Sequence, residues 1–153
     1  MPTLSTPTLT LGTTDNNKRN VTVAGTLTFD AGDVGKSYRL EIKLYGEDKS
    51  GDALPSGDAV GDDLLYTYKF AGPLIQLPFK TITVAAAGSV NFSEKRAINT
   101  GTLDEDPGNV VIGMADINTP IFMPRADEVY AQVTLGIAPV AKRSATVQAG
   151  IGV

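Results

Sequence analysis

The chain of 153 residues contains no cysteine, no histidine and no tryptophan. Without cysteine there is no disulfide, no thiolate metal ligand and no thiol nucleophile, and the redox compartment is left open. Without histidine there is no Ser-His-Asp arrangement, no Cys-His dyad and no His-ligated zinc or non-haem iron. The designs that remain for an enzyme are a pair of carboxylates, as in glycoside hydrolysis, or a Ser-Lys dyad. The lack of Trp also removes the usual stacking platform for glycans. Tyr66 and Tyr68 do not replace it, because they share a phase with Leu64 and Phe70 and read as core.

Positive charge is scarce too. With 13 Lys and Arg against 17 Asp and Glu, the net charge of −4 gives no broad field to attract phosphate backbones or anionic lipid. The adjacent basic pairs Lys18-Arg19 and Lys142-Arg143 read as solvated strand ends, so neither nucleic acid nor a membrane is an expected partner. No apolar run approaches the ~20 residues that cross a bilayer. The N-terminal MPTLSTPTLTLGTTDNN has no basic region followed by an apolar one, so it is not read as a secretory signal. The expectation is a chain that stays where it is made, cytoplasmic, or part of an assembly released by a dedicated export route or by lysis. The sequons at Asn20 and Asn91 carry no meaning without secretion.

Strict alternation of apolar and polar residues is what the sequence has in quantity. From Ser37 to Glu47, Tyr38, Leu40, Ile42 and Leu44 alternate with Arg39, Glu41 and Lys43, which makes a strand with one buried and one wet face. Val21, Val23, Leu27 and Phe29 alternate with threonines, and Gly25 interrupts that phase in the manner of a bulge or a close backbone approach. Val129, Ala131, Val133, Leu135 and Ile137 form a third inward row, and Ala145 to Val153 a fourth. Leu64 to Phe70 and Leu74 to Val84 read as two further strands, the first with Leu65 out of phase and the second changing phase near Lys80-Thr81. Ser89 to Ile98 carries Glu94 and Arg96 on its apolar phase, which places it at an edge or rim.

The connections follow from Gly, Pro, Asp and Asn. Gly12 to Asn20 reads as a polar loop, Asp30 to Gly35 as the turn of a hairpin joining the strands on either side, and Asp48 to Asp63 as a long loop. Pro2 and Pro7 keep the N-terminal segment out of a central position. No stripe at helical spacing persists over three turns, so little or no helix is expected. The fold class is all-β: a single antiparallel β-sandwich of about eight to nine strands, with a jelly roll or an up-and-down barrel as the alternative. Residues 1–19 are an extended N-terminal arm and loop, and 20–153 the sandwich domain.

The strands Val21 to Phe29 and Tyr38 to Tyr45, with the late segment DEVYAQVTL from Asp127 to Leu135, resemble those of an immunoglobulin-like or fibronectin-like sandwich. In that superfold the penultimate strand often begins with an acidic residue and a corner tyrosine, which Asp127 and Tyr130 resemble. The resemblance implies a sandwich and no particular activity.

Three functions are compatible with this chemistry. The first is a non-enzymatic interaction or structural module that self-associates, or binds another protein, through edge strands and terminal arms. The second is calcium-assisted recognition, for which Asp48, Asp52, Asp58, Asp62 and Asp63 in one loop and Asp104 and Asp106 in another are the candidate ligands. Asp48 to Asp52 begins like an EF-hand, but Ala53 and Ala59 stand where that loop needs Gly and Glu. The third is a hydrolase using two carboxylates from Asp62-Asp63, Asp104 to Asp106 or Asp127-Glu128. No catalytic residue and no cofactor beyond calcium is expected.

Overall fold

The computed structural model describes residues 1–46, 63–104, 109–124, 127–137 and 140–149. In chain order the first strands are β1 (Thr3–Leu4), β2 (Thr8–Asp15), β3 (Lys18–Phe29) and β4 (Ser37–Gly46). They are followed by β5 (Asp63–Thr67), β6 (Lys80–Thr83), β7 (Gly88–Asn99) and the one-turn helix α1 (Thr100–Leu103). The last are β8 (Asn109–Asp116), β9 (Thr119–Pro124), β10 (Asp127–Gly136), β11 (Val140–Arg143) and β12 (Val147–Ala149). The chain is all-β, and among the described residues every strand pairing is antiparallel.

Several of these strands are halves of one line. β1 and β2 lie end to end along one side of β3, with β7 on its other side. In the second sheet β10 and β4 run side by side through eight paired positions, from Val129 opposite Gly46 to Gly136 opposite Arg39. β5 and β6 share the outer side of β4, and β11 and β12 that of β10. β8 and β9 form a separate hairpin.

The period-two reading locates the core. Val21, Val23, Leu27 and Phe29 of the first sheet and Tyr38, Leu40, Ile42, Leu44, Val129, Ala131, Val133 and Leu135 of the second are buried in one cluster. Burying this apolar surface is the main favourable term in folding, at about 25 cal/mol per Å² removed from water. Gly25 is a close approach and not a bulge, since β3 and β7 stay in register from Lys18 opposite Asn99 to Phe29 opposite Gly88. Leu65 is out of phase because the β4–β5 register slips there, with Leu44 facing Tyr66 and Tyr45 facing Leu64.

Five expectations need correction. Ala145, expected to open an inward row, is exposed, and Ser144 beside it is buried, because the strand line bulges there. Asp30 to Gly35 does not close a hairpin, because β3 and β4 belong to different sheets. A 3-10 turn at Ala31–Asp33 carries the chain across, held by reciprocal capping between the Asp30 and Asp33 side chains and each other's turn backbone. Gly12 to Asn20 is not a loop but the end of β2, a turn at Asn16 and Asn17 and the start of β3. Both Asn residues have positive φ (49° and 60°), as the favoured two-residue hairpin turn requires. Leu74 and Ile75 are exposed ahead of β6, beyond the Phe70–Leu77 bridge. Ile137 is exposed where β10 ends.

The N-terminal segment pairs with the body. Leu4 is buried, and the Ser5 N–H donates to Thr26 O at 2.9 Å. Among the described residues no helix is long and apolar enough to cross a membrane.

Candidate functional site

Of the candidate calcium ligands, Asp48, Asp52, Asp58, Asp62 and Asp106 lie outside the described residues. Asp63 is exposed at the first position of β5, and Asp104 caps α1, its N–H donating to Thr100 O. α1 packs against β5, so the two acidic segments emerge from neighbouring elements. Among the described residues no three acidic side chains come together as a metal site. Of the carboxylates proposed for hydrolysis, Glu128 accepts a hydrogen bond from Gln148.

The carboxylates the structure does bring together are Asp30 and Asp33. Asp33 is 1% exposed and accepts from the Tyr38 hydroxyl at 2.6 Å and from the Asp30 N–H at 2.9 Å. Asp30 accepts from Gly32 N–H and from the Met1 ammonium, which holds its carboxyl below the usual range. These groups line a depression of about 640 Å³ with Pro2, Lys36 and Ile137. A neighbouring depression of about 660 Å³ passes over Arg39, Glu41 and Thr134. Each carboxylate of the pair is hydrogen-bonded within the turn that carries β3 into β4.

The sheet edges differ from one another in a way that bears on function. An open edge offers unpaired N–H and C=O groups to any other chain, and proteins blunt it with breaks, bulges, proline and inward charges. The β1–β2 line is broken between Leu4 and Thr8 and slips register between Leu11 and Thr14. β5 and β6 are short and separate. The β11–β12 line is bulged at the buried Ser144, whose N–H donates to Ala131 O and whose Oγ accepts from Ala131 N–H, both at 2.8 Å. β7 has no break, bulge or proline, and its inward charges, Glu94 and Arg96, are confined to its C-terminal half. Among the described residues it pairs with β3 alone, over 12 residues without a register shift.

Its two halves are unlike. In the C-terminal half, Glu94 and Arg96 occupy the inward phase. Lys80 of β6 reaches Glu94 at 3.1 Å, and the Arg96 guanidinium lies 5.2 and 5.1 Å from the Tyr68 and Phe70 ring centres and donates to Lys69 O at 2.8 Å. These charges tie β7 across to the second sheet. In the N-terminal half the gap is not closed. Val90 shares its phase with the buried Phe92 and so turns toward the space between the sheets, yet it is 48% exposed. Beside it is a recess of about 340 Å³ lined by Phe29, the Ile82–Val84 run, the Ala85–Ala87 run and the Gly88–Val90 run. None of those residues is charged. On the outer face, Thr28 with Ser89 and Thr26 with Asn91 form side-chain hydrogen bonds of 3.0 and 2.8 Å.

The sequence signalled the rim position of β7 through Glu94 and Arg96. The recess had no signal of its own in the sequence. Tyr130 is a second residue that periodicity misplaced. It lies on the face of β10 opposite Val129 and Ala131 and is nonetheless fully buried, stacked on Tyr45 at 5.6 Å with the Arg143 guanidinium 3.9 Å from its ring centre.

The site thus belongs to an all-β protein with two antiparallel sheets around a shared core. No family model matches the chain, and no curated protein matches it. Among solved structures it is similar to the crystal structure of Bifidobacterium adolescentis GH3 beta-glucosidase. The identity is 15% and the TM-score 0.43, over 98% of this chain and 17% of that chain. A likeness at that level carries no argument about activity.

Proposed function

We propose that this chain is a non-enzymatic, immunoglobulin-like sandwich module that works by association, with copies of itself joined through the β7 edge. The observation that carries this reading is the contrast among the edges. Three are broken or bulged, while β7 presents 12 uninterrupted residues and an uncovered Val90 beside an apolar recess. The sheet orders support the sandwich assignment. The orders β1/β2–β3–β7 and β4–β10–β11/β12 are those expected if these strands correspond to A, B, E and C, F, G of that superfold, which is what favours the assignment. Strand addition at such an edge draws affinity from backbone hydrogen bonds and specificity from side-chain pockets.

Light scattering across a concentration series tests the reading. A discrete multiple of 16.0 kDa, or larger particles growing with concentration, is the expected result. A monomer at every concentration overturns it.

A further inference from the structure

We propose that the recess beside β7 receives the β8–β9 hairpin of a second copy, which makes association head-to-tail. This rests on the self-association reading and adds which surfaces meet.

The hairpin needs a partner on physical grounds. A two-stranded ribbon is marginal in water unless it joins a larger sheet or packs on another element. Among the described residues, β8 and β9 pair as strands with each other alone and pack chiefly on each other. The hairpin nevertheless exposes Met114 (53%), Ile117 (85%) and Ile121 (44%). Met114 faces Pro120 and Gly113 faces Ile121 across the ladder, so apolar side chains stand on both faces of the ribbon. A flat surface would cover one face only, whereas a recess covers both. The opening beside β7 has one wall from each sheet, Ile82–Val84 and Gly88–Val90, with Phe29 between them.

The tip is preorganised for insertion. Asn118 N–H donates to Asp116 Oδ1 at 2.8 Å, which fixes the turn that presents Ile117 and lowers the entropy lost on docking. A ribbon lying against Gly88–Ser93 would also satisfy backbone groups that β7 leaves open.

Within one chain no described hairpin residue lines the recess. The recess is at the N-terminal end of β7, and the chain reaches the hairpin only after leaving the opposite end, roughly 40 Å along a strand of this length. Two different surfaces that meet between copies make a heterologous contact, which propagates as an open filament or closes as a ring.

Two exposed positions separate the possibilities. Ile117→Asp places a charge on the tip, and Ala86→Asp places one at the recess mouth, where Ala86 is exposed. Each variant alone is expected to stay monomeric where the parent associates. Their equimolar mixture is expected to give a discrete dimer of twice 16.0 kDa and nothing larger, because one copy keeps only its recess and the other only its hairpin. Since the chain has no cysteine, Ile117→Cys with Ala86→Cys in one chain is expected to give an oxidation ladder on a non-reducing gel. A parent that is monomeric throughout removes the self-association reading, and this inference with it. A parent that associates while Ile117→Asp associates equally, or a mixture of monomeric variants that stays monomeric, overturns the hairpin contact alone.

Discussion

Phe92 lies across Gly25. The two residues are directly opposed on β7 and β3, and a Cβ on Gly25 would stand 2.8 Å from the Phe92 Cζ. The glycine leaves the space that the ring fills, in the middle of the first sheet. Gly25→Ala must displace that ring. The expected cost is about 1–3 kcal/mol of overpacking, partly offset by the about 0.5–1 kcal/mol that alanine gains over glycine in a strand. Denaturant unfolding measures it. In a Phe92→Leu background the same substitution is expected to be neutral or stabilising, and equal costs in both backgrounds would show that the ring is not the cause.

Tyr68 joins the two sheets. It follows β5, its N–H donates to Ile42 O of β4, and its hydroxyl donates to Val21 O of β3 at 2.8 Å while the ring is fully buried. Tyr68→Phe keeps the ring and removes the donor, at an expected cost of about 1–2 kcal/mol. The denaturation midpoint should fall with the slope unchanged, since the same surface is exposed on unfolding.

The Tyr38 hydroxyl is pushed up to about 12, first by its hydrogen bond to the Asp33 carboxylate and then by burial. Burial raises Tyr68 as well. In the unfolded chain a tyrosine ionises near pH 10. Above that pH the unfolded state holds fewer protons than the folded one, so stability falls as pH rises. The contribution of Tyr38 is therefore fully present below about pH 10 and is lost as pH rises through about 12. Ultraviolet titration of tyrosinate should show a group ionising near 12 that is missing in Tyr38→Phe. That variant should also show a shallower loss of stability with pH above about 10. An unchanged titration would assign the step to another residue.

Glu94 and Arg96 are inward charges on an edge strand, a device that discourages pairing with other chains. The Lys80–Glu94 pair is half exposed on its lysine side, so removing it should cost under about 1 kcal/mol. The effect on association should be larger. Glu94→Val with Arg96→Val makes the inward row of β7 uncharged from Val90 to Ile98, with Lys95 still on the outer face, and is expected to give larger particles at a given concentration. Sedimentation velocity reads this directly, and a distribution like the parent's would mean that these charges do not limit pairing.

Much of the molecule was legible in its sequence. The inward rows of β3, β4 and β10 follow from alternation, because a strand turns successive side chains to opposite faces whatever it pairs with. The rim position of β7 was also visible, as charges within an apolar row, while the gap at Gly25 was visible but left a bulge and a close approach both open. The absence of His and Cys removed whole classes of chemistry without reference to the fold. The candidate site was less legible: Glu94 and Arg96 marked its charged half, and nothing marked the half that is open.

What only the tertiary structure decided is which strands pair and what lies over each face. Asp30 to Gly35 has the composition of a hairpin turn, yet Asp33, buried and bonded to Tyr38, turns the chain from one sheet into the other. Val90 and Ile137 are on apolar phases and exposed, while Tyr130 is on a polar phase and buried under Tyr45 and Arg143. The physical reason is common to all of them. Periodicity is set by the local backbone, but burial depends on residues far away in sequence, and the cover over a face is a property of the assembled sheets.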